Sequence, residues 1–368
     1  MSRDPRFVPC PGIYLQSHSA GRPPRSLAAA LQSGFLDPWE RADGEPWPKW
    51  LAGIEDFRAA LGAILGVPAD TLCPQANLSG GLAKVLGALP ARPGRDVALL
   101  HEDDFPSMGF ALGRAGYRLR FIPRAEDPRD PQAWRQRLGG DVALALLTHV
   151  QSNTARLLPV AEICRAARAQ EVWSVVDVAQ SAGVIPIALA DWEADVVLGS
   201  CLKWLCGGPG AGFLWMSPAL LSQATPRDVG WFSHAEPFAF DIHDYRDHPG
   251  VLRFWGGTPS VAPCVVATEG LRLIGSIGVP EVRAHNLRLT QQLIDALPPR
   301  AIASPLEHAG RGGTVVVQLG SRQEAAVTQL KAAGVHFDNR PTGMRLSPHV
   351  YNTEAEIAEV ATILTACL

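Results

Sequence analysis

Apolar positions along this 368-residue chain switch repeatedly between two rhythms. Spacings of three and four mark helices: Ile54, Phe57, Leu61, Ile64 and Leu65 predict a helix over Ile54–Leu65. Short unbroken apolar runs bounded by Gly, Pro or Asp mark buried strands. Helix Gly80–Leu89, opening just after Asn77-Leu78-Ser79, precedes strand Val97–Leu100, helix Ser107–Ala115 and strand Tyr117–Ile122. Strand Val142–Leu147, helix Pro159–Ala169, strand Val172–Val176 and strand Val196–Leu198 follow, the last with an antiparallel partner at Gly212–Met216. Strands interleaved with helices predict an α/β fold with a mostly parallel sheet covered on both faces. Residues 1–50 lack steady periodicity and read as an extended arm with a short helix near Ser26–Ser33. From about Gly257 the texture changes to long helices Val261–Ile274 and Val282–Leu297. Strand Gly313–Leu319, helix Gln323–Ala333, strands Val335–Asp338 and Gly343–Ser347 and helix Thr353–Leu368 then complete a small α+β unit. The expected organisation is an arm over 1–50, a large α/β domain over 51–260 and a smaller C-terminal domain with its linking helices over 261–368.

Composition narrows the choice by exclusion. Hydrophobic residues make up 47% and charged residues 19% with no long polar tract, which excludes a disordered chain. A net charge of −3 without a basic stripe argues against nucleic acid as a partner. No apolar window reaches membrane-span length, and no apolar stretch behind Met1–Arg6 forms a signal peptide, so the expectation is no membrane and a cytoplasmic location. The seven cysteines are scattered with no CxxC pair, so neither a disulfide framework nor a metal site is indicated.

The chemistry concentrates in two strings. The apolar run Trp173-Ser174-Val175-Val176 ends on Asp177, and the run Ala194–Gly199 delivers Lys203 into the small-residue loop Ser200–Gly210. Pyridoxal phosphate, an aldehyde cofactor, needs such a pair: an amine to bond the aldehyde and a carboxylate to keep the pyridine nitrogen protonated. A desolvated lysine has a lowered pKa and is a nucleophile near neutral pH. An ordinary strand pair with a surface lysine has the same spacing. Cys201 and Cys206 flank Lys203 and read either as a catalytic thiol or as small buried hydrophobes.

Asp177-Val178-Ala179-Gln180-Ser181-Ala182-Gly183, followed about twenty residues later by Lys203, resembles the class V aminotransferase group of fold-type I pyridoxal-phosphate enzymes. Within that group the chain is similar to kynureninases, which hydrolyse a Cβ–Cγ bond. The similarity rests on Ile13-Tyr14-Leu15 with Ser19-Ala20-Gly21, Asp104-Phe105-Pro106-Ser107, Gly207-Gly208-Pro209-Gly210, Val229–His234, Gly257-Thr258-Pro259 and Met344–Pro348, in the family's order. The resemblance implies a large, mostly parallel seven-stranded sheet domain with a smaller α+β C-terminal domain, working as a homodimer with a shared active site. It implies Lys203 and Asp177 as catalytic residues and Phe105 as a stacking ring, where a plain core Phe is the alternative. Leu78, Ser79, Ser107 and Trp231 are implied to hold the phosphate, with Thr258 reaching it from the neighbouring subunit. Thr148 lines the cofactor side of a strand end, Gln180 contacts the phenolic oxygen, Arg345 grips the substrate carboxylate and Ser19 lines the substrate pocket.

Departures from the pattern fall on the reaction, not on the cofactor cradle. Gln180 stands where kynureninases carry His, and is similar to cysteine desulfurases. Leu202 replaces the Tyr before the lysine, so that phenolic acid is absent. Met108 replaces Asp, and the substrate-side His of the N-terminal third is missing, with Glu40 or Glu45 near that region. Lys203-Trp204-Leu205-Cys206 also resembles isopenicillin N epimerase-like proteins. A transaminase, β-lyase or epimerase on a related amino acid is therefore the alternative reading, and a desulfurase is excluded because 311–349 holds no cysteine.

Overall fold

The computed structural model describes residues 3–41 and 44–368. Strand β1 (Ile13–Tyr14) belongs to the N-terminal arm. Strands β2 (Leu72–Gln75), β3 (Val97–His101), β4 (Arg118–Ile122), β5 (Val142–Thr148), β6 (Trp173–Asp177), β7 (Val196–Ser200) and β8 (Gly212–Met216) form one seven-stranded sheet in the order β2-β8-β7-β6-β5-β3-β4. Only β8 breaks the parallel arrangement, running antiparallel to both β7 and β2. Because side chains alternate across a strand, the apolar runs split between two faces. Leu144, Leu146, Val175, Val196, Leu198 and Leu214 pack with helices Leu78–Ala88 and Pro106–Arg114. Ala145, Leu147, Val176, Val197 and Phe213 pack on the opposite side with helices Trp47–Leu65, Val160–Ala169 and Val261–Ile277. Burial on both faces is why β3 and β5 read as unbroken apolar runs rather than alternating ones.

Strand β2 has no counterpart in the sequence reading, because Pro74 breaks its pattern. A proline cannot donate to a ladder, and β2 tolerates it by lying at the sheet edge, with Pro74 opposite Phe213 of β8. Helix Trp47–Leu65 begins well before the predicted Ile54, with Pro48 in its first turn, and ends at Gly66 with φ 68°. The next helix starts at Leu78 rather than Gly80, because the Asn77 side chain caps it by accepting from the Gly80 N–H.

The C-terminal strands are β9 (Val315–Val317), β10 (Val335–His336), β11 (Asp338–Arg340) and β12 (Gly343–Leu346). The expected single strand over Val335–Asp338 is divided: β10 pairs with β1 of the arm, while β11, β12 and β9 form a separate antiparallel sheet. Ile13 and Leu15 consequently sit in the core that β9, β12 and helices Val279–Asp295, Gln323–Ala332 and Glu354–Ala366 enclose. Helices Val261–Ile277 and Val279–Asp295 meet at a 79° bend, and among the described residues no single helix is long and apolar enough to cross a membrane.

Candidate active site

Parallel strands place their carboxyl ends along one edge, and the winding reverses between neighbours β3 and β5. Open α/β sheets bind ligands in the crevice at that point. His101, Thr148 and Asp177 end β3, β5 and β6, and Lys203 follows the end of β7. Thr148 lies directly opposite Asp177 in the ladder.

Asp177 is buried, with Oδ1 accepting from the Ala179 N–H at 2.7 Å, and among the described residues its other oxygen takes no hydrogen bond. Burial raises its pKa, against the opposing pull of Lys203 and the Ala179 N–H. Burial in turn lowers the pKa of Lys203, which Asp177 raises and Arg345 and Arg340 lower further. The lysine loop is tied from both sides. Its Leu202 carbonyl accepts from the Gly21 N–H at 2.9 Å, and a Cβ on Gly21 would fall 2.2 Å from the Lys203 carbonyl oxygen, so only glycine passes there. Trp204 stacks on His349 with ring centroids 5.6 Å apart and donates its indole N–H to Gln180 Oε1 at 3.3 Å. Cys201 and Cys206 are buried, and burial pushes the Cys206 thiol up to about 12, which leaves them as small hydrophobes rather than thiolates.

Of the remaining predicted residues, Phe105 is 41% exposed with its ring centroid 6.0 Å from Lys203 Nζ. Ser107 lies in the first turn of helix Pro106–Arg114, and Leu78 and Ser79 open helix Leu78–Ala88. Gln180 donates from Nε2 to the His18 carbonyl at 3.0 Å. Trp231 donates its indole N–H to Thr258 Oγ1 at 3.3 Å, so these two residues meet within one chain. Ser19 is exposed on the arm loop, and Glu40 and Glu45 are exposed at the surface. Thr148 Oγ1 and Asp104 Oδ1 are buried without a hydrogen-bond partner among the described residues. Burial pushes the Asp104 carboxyl up to about 7, although its Oδ2 accepts from the His101 N–H at 2.8 Å.

Arg345, 2% exposed, donates from Nε to Asp338 Oδ1 at 2.7 Å, from Nη2 to Asp338 Oδ2, and from Nη1 to the Ser152 carbonyl at 2.9 Å. Its fork is thus already oriented by a carboxylate, while Nη1 and Nη2 each retain one N–H. Against the raising effect of burial, Arg345 and His18 hold the Asp338 carboxyl well below the usual range. His18 is the residue that sequence reasoning missed. Its Nδ1 lies 2.6 Å from Ser347 Oγ and its Nε2 3.2 Å from Asp338 Oδ1, and burial lowers its pKa to about 4. The available signal was its position: His18 stands directly before Ser19, inside the stretch between Ile13-Tyr14-Leu15 and Ser19-Ala20-Gly21.

A family model described as aminotransferase class-V matches residues 106–360. The kynureninase of Deinococcus radiodurans is 30% identical over 342 residues, covering 89% of this chain and 82% of its own length. The isopenicillin N epimerase of Streptomyces clavuligerus is 28% identical over 333 residues, covering 84% of this chain and 83% of its own. Among solved structures, the cystine C–S lyase C-DES superposes with a TM-score of 0.87 at 23% identity, covering 96% of this chain and 97% of its own, a likeness of fold.

Proposed function

This chain belongs to the class-V aminotransferase family and uses pyridoxal 5'-phosphate, and from that premise we propose that it hydrolyses the Cβ–Cγ bond of an amino acid as kynureninases do. The residues present fit the cofactor: the buried Asp177 carboxylate spends one oxygen on the Ala179 N–H and, among the described residues, accepts no hydrogen bond on the other, which a protonated ring nitrogen would fill. The observation that carries the reading is geometric. Asp177 ends β6 beside β7, the strand that delivers Lys203, and Lys203 Nζ lies 6.0 Å from the Phe105 ring centroid, so an amine, a ring-binding carboxylate and a stacking ring share one sheet edge.

When bound, the cofactor draws off the electron pair left at the substrate Cα. Asp177 holds the proton on the ring nitrogen. Lys203 Nζ, with its lowered pKa, would hold the cofactor through its aldehyde and, once the substrate amine has displaced it there, would take and return the proton at Cα. Backbone N–H groups of Leu78 and Ser79 at a helix N-terminus and the hydroxyls of Ser79 and Ser107 would hold the phosphate dianion. Trp231 and Thr258, which touch each other within one chain, would complete that cradle together where two subunits meet. Phe105 would cover one ring face, Thr148 would line the strand end, and the second Nε2 proton of Gln180 would meet the phenolic oxygen. The two open N–H groups of Arg345 take the substrate carboxylate, with Ser19 beside it. Exposed Phe238, Phe240 and Ile242 surround Trp231, and this apolar surface supports a homodimer contact there. We place the enzyme in the cytoplasm.

Hydrolysis adds water to the side-chain ketone, breaks Cβ–Cγ and needs a proton at Cβ. Leu202 cannot donate one, and a lost positioned acid costs roughly 10²–10⁴-fold. That feature favours a second reading, in which the same cradle performs transamination, β-elimination or epimerisation. Holoenzyme mixed separately with kynurenine, 3-hydroxykynurenine, cysteine and alanine separates the two. Slow release of alanine from a kynurenine supports hydrolysis. Rapid transamination of alanine with no kynurenine turnover overturns it.

A further inference from the structure

The arm segment Leu15–Gly21 is stitched to three other parts of the chain. The Leu15 carbonyl accepts from the Ser347 N–H at 2.9 Å, just beyond β12, which carries Arg345. The Gly21 N–H donates to the Leu202 carbonyl at 2.9 Å, beside Lys203. The His18 carbonyl accepts from Gln180 Nε2 at 3.0 Å. His18 therefore stands where the lysine loop, Gln180 and the Arg345 strand converge, fixed by main-chain contacts on either side.

The ring of His18 has one consistent hydrogen arrangement. Nε2 faces a carboxylate oxygen of Asp338 at 3.2 Å. A lone pair there would oppose the carboxylate lone pairs in a buried setting, so Nε2 carries the proton. Nδ1 then accepts from the Ser347 hydroxyl at 2.6 Å, which in turn accepts from Thr314 Oγ1 at 2.7 Å. Among the described residues Nε2 is a buried nitrogen that makes no hydrogen bond, and its 3.2 Å approach to Asp338 Oδ1 sets it beside the carboxylate that already takes two donors from the Arg345 fork.

We propose that His18 is a positioning residue for carboxylate binding by Arg345: its Nε2–H steadies Asp338, and Asp338 sets the direction of the two Arg345 N–H groups left for substrate. The inference rests on the reading that Arg345 receives the substrate carboxylate. A histidine serving only to fill the core would matter to folding and not to the choice between a carboxylate-bearing ligand and one without.

The test uses holoenzyme and two probes, alanine and ethylamine, the second being the same amine without the carboxylate. Each is titrated by the shift of the bound cofactor's visible absorption band, an equilibrium readout that needs no turnover. His18→Asn keeps a polar group toward Ser347 and loses the one at Nε2; His18→Gln keeps an N–H within reach of Asp338. The Asn variant is expected to bind alanine about tenfold more weakly with ethylamine unchanged, and the Gln variant to bind both as wild type does. Unchanged alanine preference in the Asn variant, equal losses for both probes, or loss of the cofactor band in both variants overturns the proposal. Arg345→Met, which removes the charge and every N–H donor, separates this outcome from failure of the underlying reading. If that variant keeps the preference for alanine, Arg345 does not receive the carboxylate, whatever His18 does.

Discussion

Asp177 with Lys203 and Asp338 with Arg345 each set a carboxylate near a cation with one of the two buried, and they are built in opposite ways. The first is left open: Asp177 accepts one backbone N–H, burial raises its pKa, and burial lowers that of Lys203. The second is closed: the planar Arg345 fork takes both oxygens of Asp338, whose carboxyl is held well below its usual range. An amine with a lowered pKa is poised to gain or lose a proton, whereas a guanidinium in a bidentate pair is not. Lysine suits the reactive end of the pocket for that reason, and arginine suits the end that must only hold an anion.

Removing the cation from each pair breaks the comparison most sharply. Lys203→Ala should abolish the borohydride-reducible cofactor adduct and lower turnover by on the order of 10⁴-fold or more, as loss of a covalent nucleophile does. Thermal unfolding of the same variant should move little, because its partner Asp177 has its pKa raised by burial and can hold a proton instead. A reducible adduct that survives the substitution would remove Lys203 from its role. Arg345→Ala should behave in the reverse manner, leaving the adduct intact and destabilising the fold by about 2 kcal/mol, because it removes two charge-assisted donors from the Asp338 carboxylate. Denaturant melts of the two variants measure the contrast directly.

How far each pair could be read from the chain follows from how each is assembled. Asp177 and Lys203 end consecutive apolar runs, so local pattern announces both, and parallel pairing brings the strand ends together. Nothing local connects His18 to Ser347, which lie 329 residues apart in sequence and touch only because β1 pairs with β10 and the arm enters the C-terminal core. The arm has no periodicity to mark that crossing, and its β1 is two residues long. Strand β2 escaped notice for the opposite reason: its local signal, Pro74, argues against a strand, and only its edge position permits it. The Trp231–Thr258 contact likewise joins two irregular segments for which sequence spacing is silent.

Acidification sharpens the comparison through its sign. Burial lowers His18 and His349 to about 4 and His149 to about 3. The unfolded chain therefore binds protons first, and these three groups withdraw stability as pH falls from about 6.5 toward those values. Asp338, depressed, withdraws its contribution at still lower pH. Asp104 and Asp177, both raised, act the other way: the folded state holds the proton more tightly, so falling pH favours folding through them. Asp104→Asn removes one opposing contribution, so its melting temperature should fall more steeply than wild type between about pH 7 and about pH 4. Parallel melting curves across that window would show that Asp104 does not carry the raised pKa.

The smallest effect belongs to the second guanidinium on Asp338. Arg340 donates from Nε to Asp338 Oδ2 at 3.3 Å and from Nη1 to Asn153 Oδ1 at 2.7 Å, with a third of its side chain exposed. Water competes for an exposed guanidinium and side-chain entropy opposes holding it, so pairs of this kind contribute less than about 1 kcal/mol. Arg340→Ala should therefore lower stability by less than about 1 kcal/mol where Arg345→Ala costs about 2. Arg340 and Arg345 both lower the Lys203 pKa, so the Arg340 variant should also raise the pH at which the cofactor band titrates, by a small amount, while the Asp338–Arg345 contact persists. Equal stability losses for the two arginine variants would mean that Asp338 is held jointly from both sides. The contrast drawn between an open pair and a closed one would then have to give way to a single network spanning the pocket.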